Sequence, residues 1–157
     1  RGRKRMRRIE KIEGDKKRFL DLLLDADPYE PMVDRYLDAC EMFVLYEDDV
    51  PVCEAVMLKR GDGGMEIKNL ATAPAFQRRG YARTLVEAMA RRYAGKSRYL
   101  YVGTSNPAVY QAMGFEYAYT VPNFFLDHYP EPIIDQGEQC VDMIYLRRDL
   151  NGMKEER

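Results

Sequence analysis

The chain has 157 residues, with 25 basic and 26 acidic side chains and a net charge of −1; 46% of it is hydrophobic. That length and balance fit one ordinary globular domain, able to bury a core without disulfides or metals. Three cysteines, Cys40, Cys53 and Cys140, match neither a zinc pattern nor a disulfide framework and read as reduced thiols in a cytosolic, cytoplasmic protein. No apolar run approaches the roughly 18–20 residues of a membrane span. The basic start RGRKRMRR runs into charged sequence rather than an apolar core, so it does not read as a signal peptide. Met6 is a candidate natural start, with residues 1–5 as an extension.

Charge is locally uneven. Residues 1–18 carry ten bases and three acids, and residues 21–58 eleven acids and one base, Arg35. Both runs read as solvated surface, or the acidic one as an attractor for a cationic substrate. Residues 1–8 form a basic arm and 150–157 a tail around a single domain spanning 1–157.

In chain order, Asp15 is placed to cap a helix through KKRFLDLLLDA. Asp27-Pro28-Tyr29-Glu30 reads as a second helix start, with Asp27 as cap, Pro28 in the first turn and Glu30 closing a capping box. Val33, Tyr36, Leu37 and Cys40 recur at helical spacing. MFVLY and VCEAVML read as paired strands, and the loop KRGDGG leads into a strand at 65–73. QRRGYA (77–82) then opens a helix that buries Ala82, Leu85, Val86, Met89 and Tyr93 and stops at Gly95. A buried strand follows at 97–105. Asn106-Pro107 opens a short helix ending at Gly114. FEYAYT and CVDMIYL are two final strands, joined by about nineteen residues with three prolines. A loop that long is expected to carry function or contacts.

QRRGYA lies where a strand turns into a helix. The first N–H groups of a helix lack partners and carry partial positive charge, so a tight turn there makes a hollow for phosphate or pyrophosphate. Gly80 lets the backbone come close, Ala82 is small, and Arg78 and Arg79 add charge. The competing reading is a plain helix start with surface arginines. Neither G-x-x-x-x-G-K-[ST] nor G-x-G-x-x-G occurs.

With its flanks, NLATAPAFQRRGYARTLVEAM resembles the acyl-CoA-binding signature Q/R-x-x-G-x-G/A of the GNAT superfamily of N-acetyltransferases. VYQAMGFEY resembles that superfamily's Y-x-x-x-G-F segment, and the order of elements is similar along almost the whole chain. The resemblance implies an α/β (α+β) fold: one strongly twisted, mixed, mostly antiparallel sheet of about seven strands with about four helices. It implies acetyl-CoA as co-substrate, no metal, and splayed parallel strands 65–73 and 97–105. Leu70, Ala71 and Thr72 would face the pantetheine arm. Gln77, Arg78, Arg79, Gly80, Tyr81 and Ala82 would take the pyrophosphate. Ala82 stands where the family's second glycine falls. Asn106 is four residues before Tyr110 where an Asn seven before is usual; it is either an arm contact or only a helix cap.

The resemblance implies transfer of an acetyl group to a primary amine, a small molecule or peptide, by direct attack. At pH 7 only about one in 2,500 molecules of an amine with pKa near 10.4 is neutral, a deficit of roughly 4.6 kcal/mol. A base must take that proton, and Glu66, eleven residues before Gln77, is the candidate. Tyr110, in Y-x-x-x-G-F, is the candidate acid for the departing thiolate. A backbone N–H near Leu70 or Thr72 is placed to steady the oxyanion. His128 is a weaker substrate or base candidate. The acidic stretch DADPYEP, with Asp25, Asp27 and Glu30 around Tyr29, points to a basic or polycationic acceptor. The rivals are a non-catalytic acyl-CoA sensor of the same fold and nucleic-acid binding through the basic arm, which the acidic body disfavours. A homodimer is left open.

Overall fold

The computed structural model describes residues 5–153. The first strand, β1 (Arg7–Lys11), is exposed along its length. A short 3-10 turn (Lys16–Phe19) leads into α1 (Leu20–Ala26), and α2 (Glu30–Tyr36) follows. Next come β2 (Glu41–Glu47), β3 (Val50–Lys59), β4 (Met65–Thr72), α3 (Tyr81–Tyr93), β5 (Tyr99–Thr104), α4 (Pro107–Gln111) and β6 (Glu116–Val121). The segment to the last strand holds α5 (Phe124–His128) and a small hairpin of β7 (Ile134–Asp135) and β8 (Glu138–Gln139); β9 (Met143–Asp149) closes the fold.

Seven strands form one sheet in the order β1-β2-β3-β4-β5-β9-β6, with β7 and β8 apart. Only the β4–β5 pair is parallel. The sheet is apolar on both faces at its centre, which is why MFVLY is an unbroken apolar run and VCEAVML is apolar except at Glu54. Phe43 and Leu45 join the cluster under α3, with Leu85, Val86 and Met89. Met42, Val44 and Val56 join the cluster under α1 and α2, with Leu23, Val33 and Leu37. The expected stripe on α3 is present, with Tyr81 buried beside it and Ala82 partly buried.

Several local expectations give way to tertiary structure. Asp15 has left-handed backbone (φ 51°) and its side chain makes no cap hydrogen bond. Asp27 caps nothing: α2 begins at Glu30 behind Tyr29, with Pro31 in its first turn. Asp27 instead turns inward to two tyrosines. Arg7 and Arg8, read as the end of an arm, belong to β1; residues 1–4 lie outside the described residues. At the other end Leu150 is fully buried.

The basic and acidic runs find each other. β1 pairs antiparallel with β2, which sets Arg7 opposite Glu47. Glu47 lies within 3.7 Å of Arg7 and accepts the Tyr81 hydroxyl. Lys11 pairs with Glu41 (2.8 Å), Lys17 with Glu30 and Asp34, and Arg8 with Asp49 (2.6 Å). The β2–β3 hairpin turns on Asp48 and Asp49, both left-handed (φ 50° and 71°), as a two-residue turn of twisted strands demands.

Candidate active site

The site begins with a defect in the sheet. β3 and β4 keep register from Cys53–Thr72 to Val56–Asn69, then resume at Met57–Ile67. Lys68 is the extra residue of a β-bulge. A bulge bends its strand and increases twist, and the pairing of β4 with β5 ends there: it covers Met65–Leu100, Glu66–Tyr101 and Ile67–Val102 only. Beyond Ile67 the parallel strands part. The Ala73 N–H donates to Val52 C=O on β3 (2.8 Å), so alternation turns the backbone groups of Ala71 toward β3 as well. It turns those of Leu70 and Thr72 into the gap. Of the three residues expected along the arm, Leu70 and Thr72 are therefore the ones whose main chain faces it.

On one side of the gap lies the turn before α3. Gly80 is left-handed (φ 83°) and stands at the N-cap, where nothing lies within 4 Å of a side chain added to it. The Thr84 N–H is the first to close a turn, onto Gly80 C=O (3.0 Å). The amides of Arg78 to Arg83 precede it and have no carbonyl of their own helix behind them. Arg78 is also left-handed (φ 64°), so left-handed backbone stands on both sides of Arg79, the kind of turn that can form an anion-binding concavity. Arg78 and Arg79 are exposed, Arg79 lying over the Phe76 ring. Two residues of the hexapeptide do other work with their side chains. Gln77 Nε2 donates to Thr72 C=O (3.2 Å), tying the turn to the rim of the gap. The Tyr81 ring is buried and its hydroxyl donates to Glu47.

On the other side a cavity of about 430 Å³ opens. Leu70, Gly103, Thr104 and Tyr110 line its inner end, and Asp25, Asp27 and Pro28 of the α1–α2 connection line the opposite wall. Phe124, Phe125, Tyr129 and Cys140 come from the long segment between β6 and β9. The expectation that this segment would carry contacts is met by an aromatic cover. Phe125 and Tyr129 stack (5.8 Å, 26°) and Tyr29 meets Tyr129 edge-on (5.9 Å).

Tyr110 is half-buried, edge-on to Phe115 at 5.7 Å, and no side chain among the described residues bonds its hydroxyl. Burial pushes that hydroxyl up to about 12, so it stays protonated at neutral pH. Glu66 is placed differently from the expectation. It is 6% exposed, held by Arg60 Nη1 (3.2 Å), and stands behind the cavity wall rather than on it. Burial raises its carboxyl above the ordinary range, against the opposing pull of Lys68 and Arg60. Arg60 in turn lies 3.8 Å above the Tyr101 ring and donates to the Tyr119 hydroxyl (2.8 Å). Asn106 occupies the N-cap of α4, but its side chain makes no cap bond and faces a second hollow with Ser105 and Asp135. His128 is exposed on α5 against Phe124 and does not line the cavity.

Sequence reading placed Asp27 at the acceptor end but missed its tyrosine partners and Asn69 on the polar floor of the cavity. Asp27 accepts hydrogen bonds from Tyr36 (Oδ2, 3.0 Å) and Tyr129 (Oδ1, 2.9 Å). Asn69 Nδ2 donates to the Tyr36 hydroxyl (3.0 Å) and to Leu23 C=O (3.1 Å). Little singled out Asn69 in the sequence, since Glu66 and Lys68 interrupt the same strand, MEIKNLA. Among the described residues no cluster of His, Cys, Asp and Glu is arranged to hold a metal ion, and no helix is long and apolar enough to cross a membrane.

Comparison with known proteins bears on this geometry. The sequence model of the acetyltransferase (GNAT) domain matches residues 38–117. The uncharacterized N-acetyltransferase YvbK of Bacillus subtilis is 34% identical over 149 residues, covering 91% of this chain and 96% of that protein. A GNAT family acetyltransferase of Elizabethkingia anophelis, solved with acetyl-CoA bound, superposes with a TM-score of 0.85 at 32% identity, over 91% of this chain and 97% of its own. A Bacillus subtilis acetyltransferase solved with CoA gives a TM-score of 0.81 at 33% identity, over 92% and 99%.

Proposed function

The chain belongs to the GNAT family of acetyltransferases and uses acetyl-CoA, and we propose that it passes the acetyl group directly to a primary amine held in the cavity, within a ternary complex. The observation that carries this reading is the β4–β5 gap, which has a turn of free amides on one side and the Tyr110 hydroxyl and a cavity on the other. The amides of Arg78 to Ala82 receive the pyrophosphate, and the pantetheine arm lies along the main chain of Leu70 and Thr72. The amine nitrogen attacks the thioester carbonyl carbon. A gap-facing N–H of β4 steadies the oxyanion, the C–S bond breaks as Tyr110 gives its proton to the thiolate, and the proton released by the acylated nitrogen returns through water to the tyrosinate.

The ammonium must first lose a proton. Glu66 lies behind the wall, so the proton it takes travels through water, and its contribution is smaller than that of a base touching the amine. Asn106 is an arm contact in this reading only if its side chain swings from the second hollow toward the gap.

Steady-state release of CoA thiol, with the N-acetyl product identified by mass spectrometry, tests the proposal. Tyr110→Phe should lower kcat about 100-fold or more while acetyl-CoA affinity stays nearly unchanged. Full activity in Tyr110→Phe would remove the tyrosine from the mechanism. Saturable acetyl-CoA binding without thiol release for any amine would favour a sensor.

A further inference from the structure

The floor and the cover of the cavity differ in chemistry, and the difference points to a class of acceptor. On the floor, the Asp27 carboxylate has two of its roughly four lone-pair sites filled by tyrosine hydroxyls. Asn69 spends both its hydrogens on Tyr36 and Leu23, and its Oδ1 has no hydrogen-bond partner although it is buried. The open lone pairs of Asp27 on the cavity wall suit a group with several donors and no acceptor, which describes an ammonium. Lys68, the one cation among the described residues of the wall, lies 5.4 Å from the Tyr36 ring centroid; it is close enough to favour the charged form of Asp27 but makes no direct ion pair with it.

The cover is apolar and aromatic, with the Phe124 and Phe125 rings meeting at 82° as a corner that takes an aromatic ring face-on to one and edge-on to the other. Phe124 and Phe125 face the cavity beside Tyr129. The acids that would recruit a polycation are largely spent: Glu30 and Asp34 on Lys17, Glu41 on Lys11, Asp49 on Arg8. Asp25 and Asp135 also line the cavity, but both are exposed to water. The cavity therefore offers one well-formed seat for positive charge and a broad aromatic wall.

We propose that the acceptor is a primary amine carried on an aromatic body, its ring in the corner of Phe124 and Phe125 and its amino group received by Asp27. This rests on the transferase reading and narrows its substrate class.

Tryptamine is the probe, because the chain contains no tryptophan and indole emission then reports the ligand alone. Titrated into the CoA-loaded protein, tryptamine should show saturable binding, weakened at least tenfold in Asp27→Asn and in Phe125→Ala. Phe125→Ala keeps the test valid if loss of the Asp27 anchor unfolds the chain. Indole-3-propionate, with the same ring and an anionic end, should not compete. In turnover with acetyl-CoA, kcat/KM for tryptamine should exceed that for 1,5-diaminopentane at least tenfold. Equal or better use of diaminopentane, competition by the propionate, or indifference to Phe125→Ala would overturn the inference. Tryptamine binding that needs Phe125, without acetylation of any amine, would support the pocket and sink the transferase reading. Acetylation of diaminopentane without tryptamine binding would do the reverse.

Discussion

Glu54 stands in the middle of β3 with no exposure, and neither of its carboxyl oxygens has a hydrogen-bond partner. The Ala71 N–H is near enough to favour the charged form but does not form a hydrogen bond, and desolvation wins, holding the carboxyl well above its ordinary range. The folded state therefore binds this proton more tightly than the unfolded state does. The contribution of Glu54 to stability is full below the ordinary carboxylate range and is lost as pH rises toward the folded value. Each unit by which the carboxyl is pushed up is worth about 1.4 kcal/mol, and 1 kcal/mol moves Tm by roughly 2–4 °C in a chain of this size. Glu54→Gln removes the titration. Its Tm relative to wild type should rise as pH goes from about 5 to about 8, and a difference that is flat with pH would show that Glu54 is not held neutral. Glu66 gives a kinetic counterpart. Glu66→Gln should lower kcat/KM less than about tenfold near pH 7, and the loss should fade at high pH, where the amine deprotonates itself. A loss of a hundredfold or more would place Glu66 in direct contact with the amine.

Gly80 shows how one backbone angle makes an element functional. Its φ of 83° gives the turn before α3 the left-handed backbone on which the proposed pyrophosphate site depends. A side chain there meets open space, so substitution costs about 1–2 kcal/mol of backbone strain and does not break the core. Gly80→Glu sets a carboxylate where pyrophosphate is expected. The variant should fold and lose CoA binding by calorimetry; normal affinity in a folded Gly80→Glu protein would move the cofactor elsewhere. At β1, the Arg7, Arg8 and Lys11 side chains are exposed to solvent, so each pair adds little by itself. Together they should make Tm fall as sodium chloride is raised to about 0.5 M. An unchanged or rising Tm would mean that these contacts add nothing to stability.

At the scale of the molecule, the parts legible in sequence were those whose period is set by one buried face. The stripe of α3 and the apolar runs of β2 and β3, broken in β3 only by Glu54, are of this kind, as is the glycine at the turn before α3. β1 was not placed, because RRIEK is exposed at every position and carries no alternation. Asp27 was misread because D-P-Y-E satisfies a local helix-start pattern, while its hydroxyl partners, Tyr36 and Tyr129, come 9 and 102 residues later. The sheet defect at Lys68 has no local signature, yet it opens the gap. The bulge, the free amides and the cavity have meaning only together, as a passage for a cofactor arm meeting an acceptor. Burial pushes the Cys53 thiol up to about 11, which disfavours an acetyl-enzyme on that residue; Cys140 is the thiol that lines the cavity. Initial rates of thiol release, measured across both acetyl-CoA and amine concentration, decide between the two routes. Direct transfer in a ternary complex predicts intersecting double-reciprocal lines, with one N-acetyl product formed per thiol released. Parallel lines, with Cys140 acetylated in the absence of amine, would contradict it.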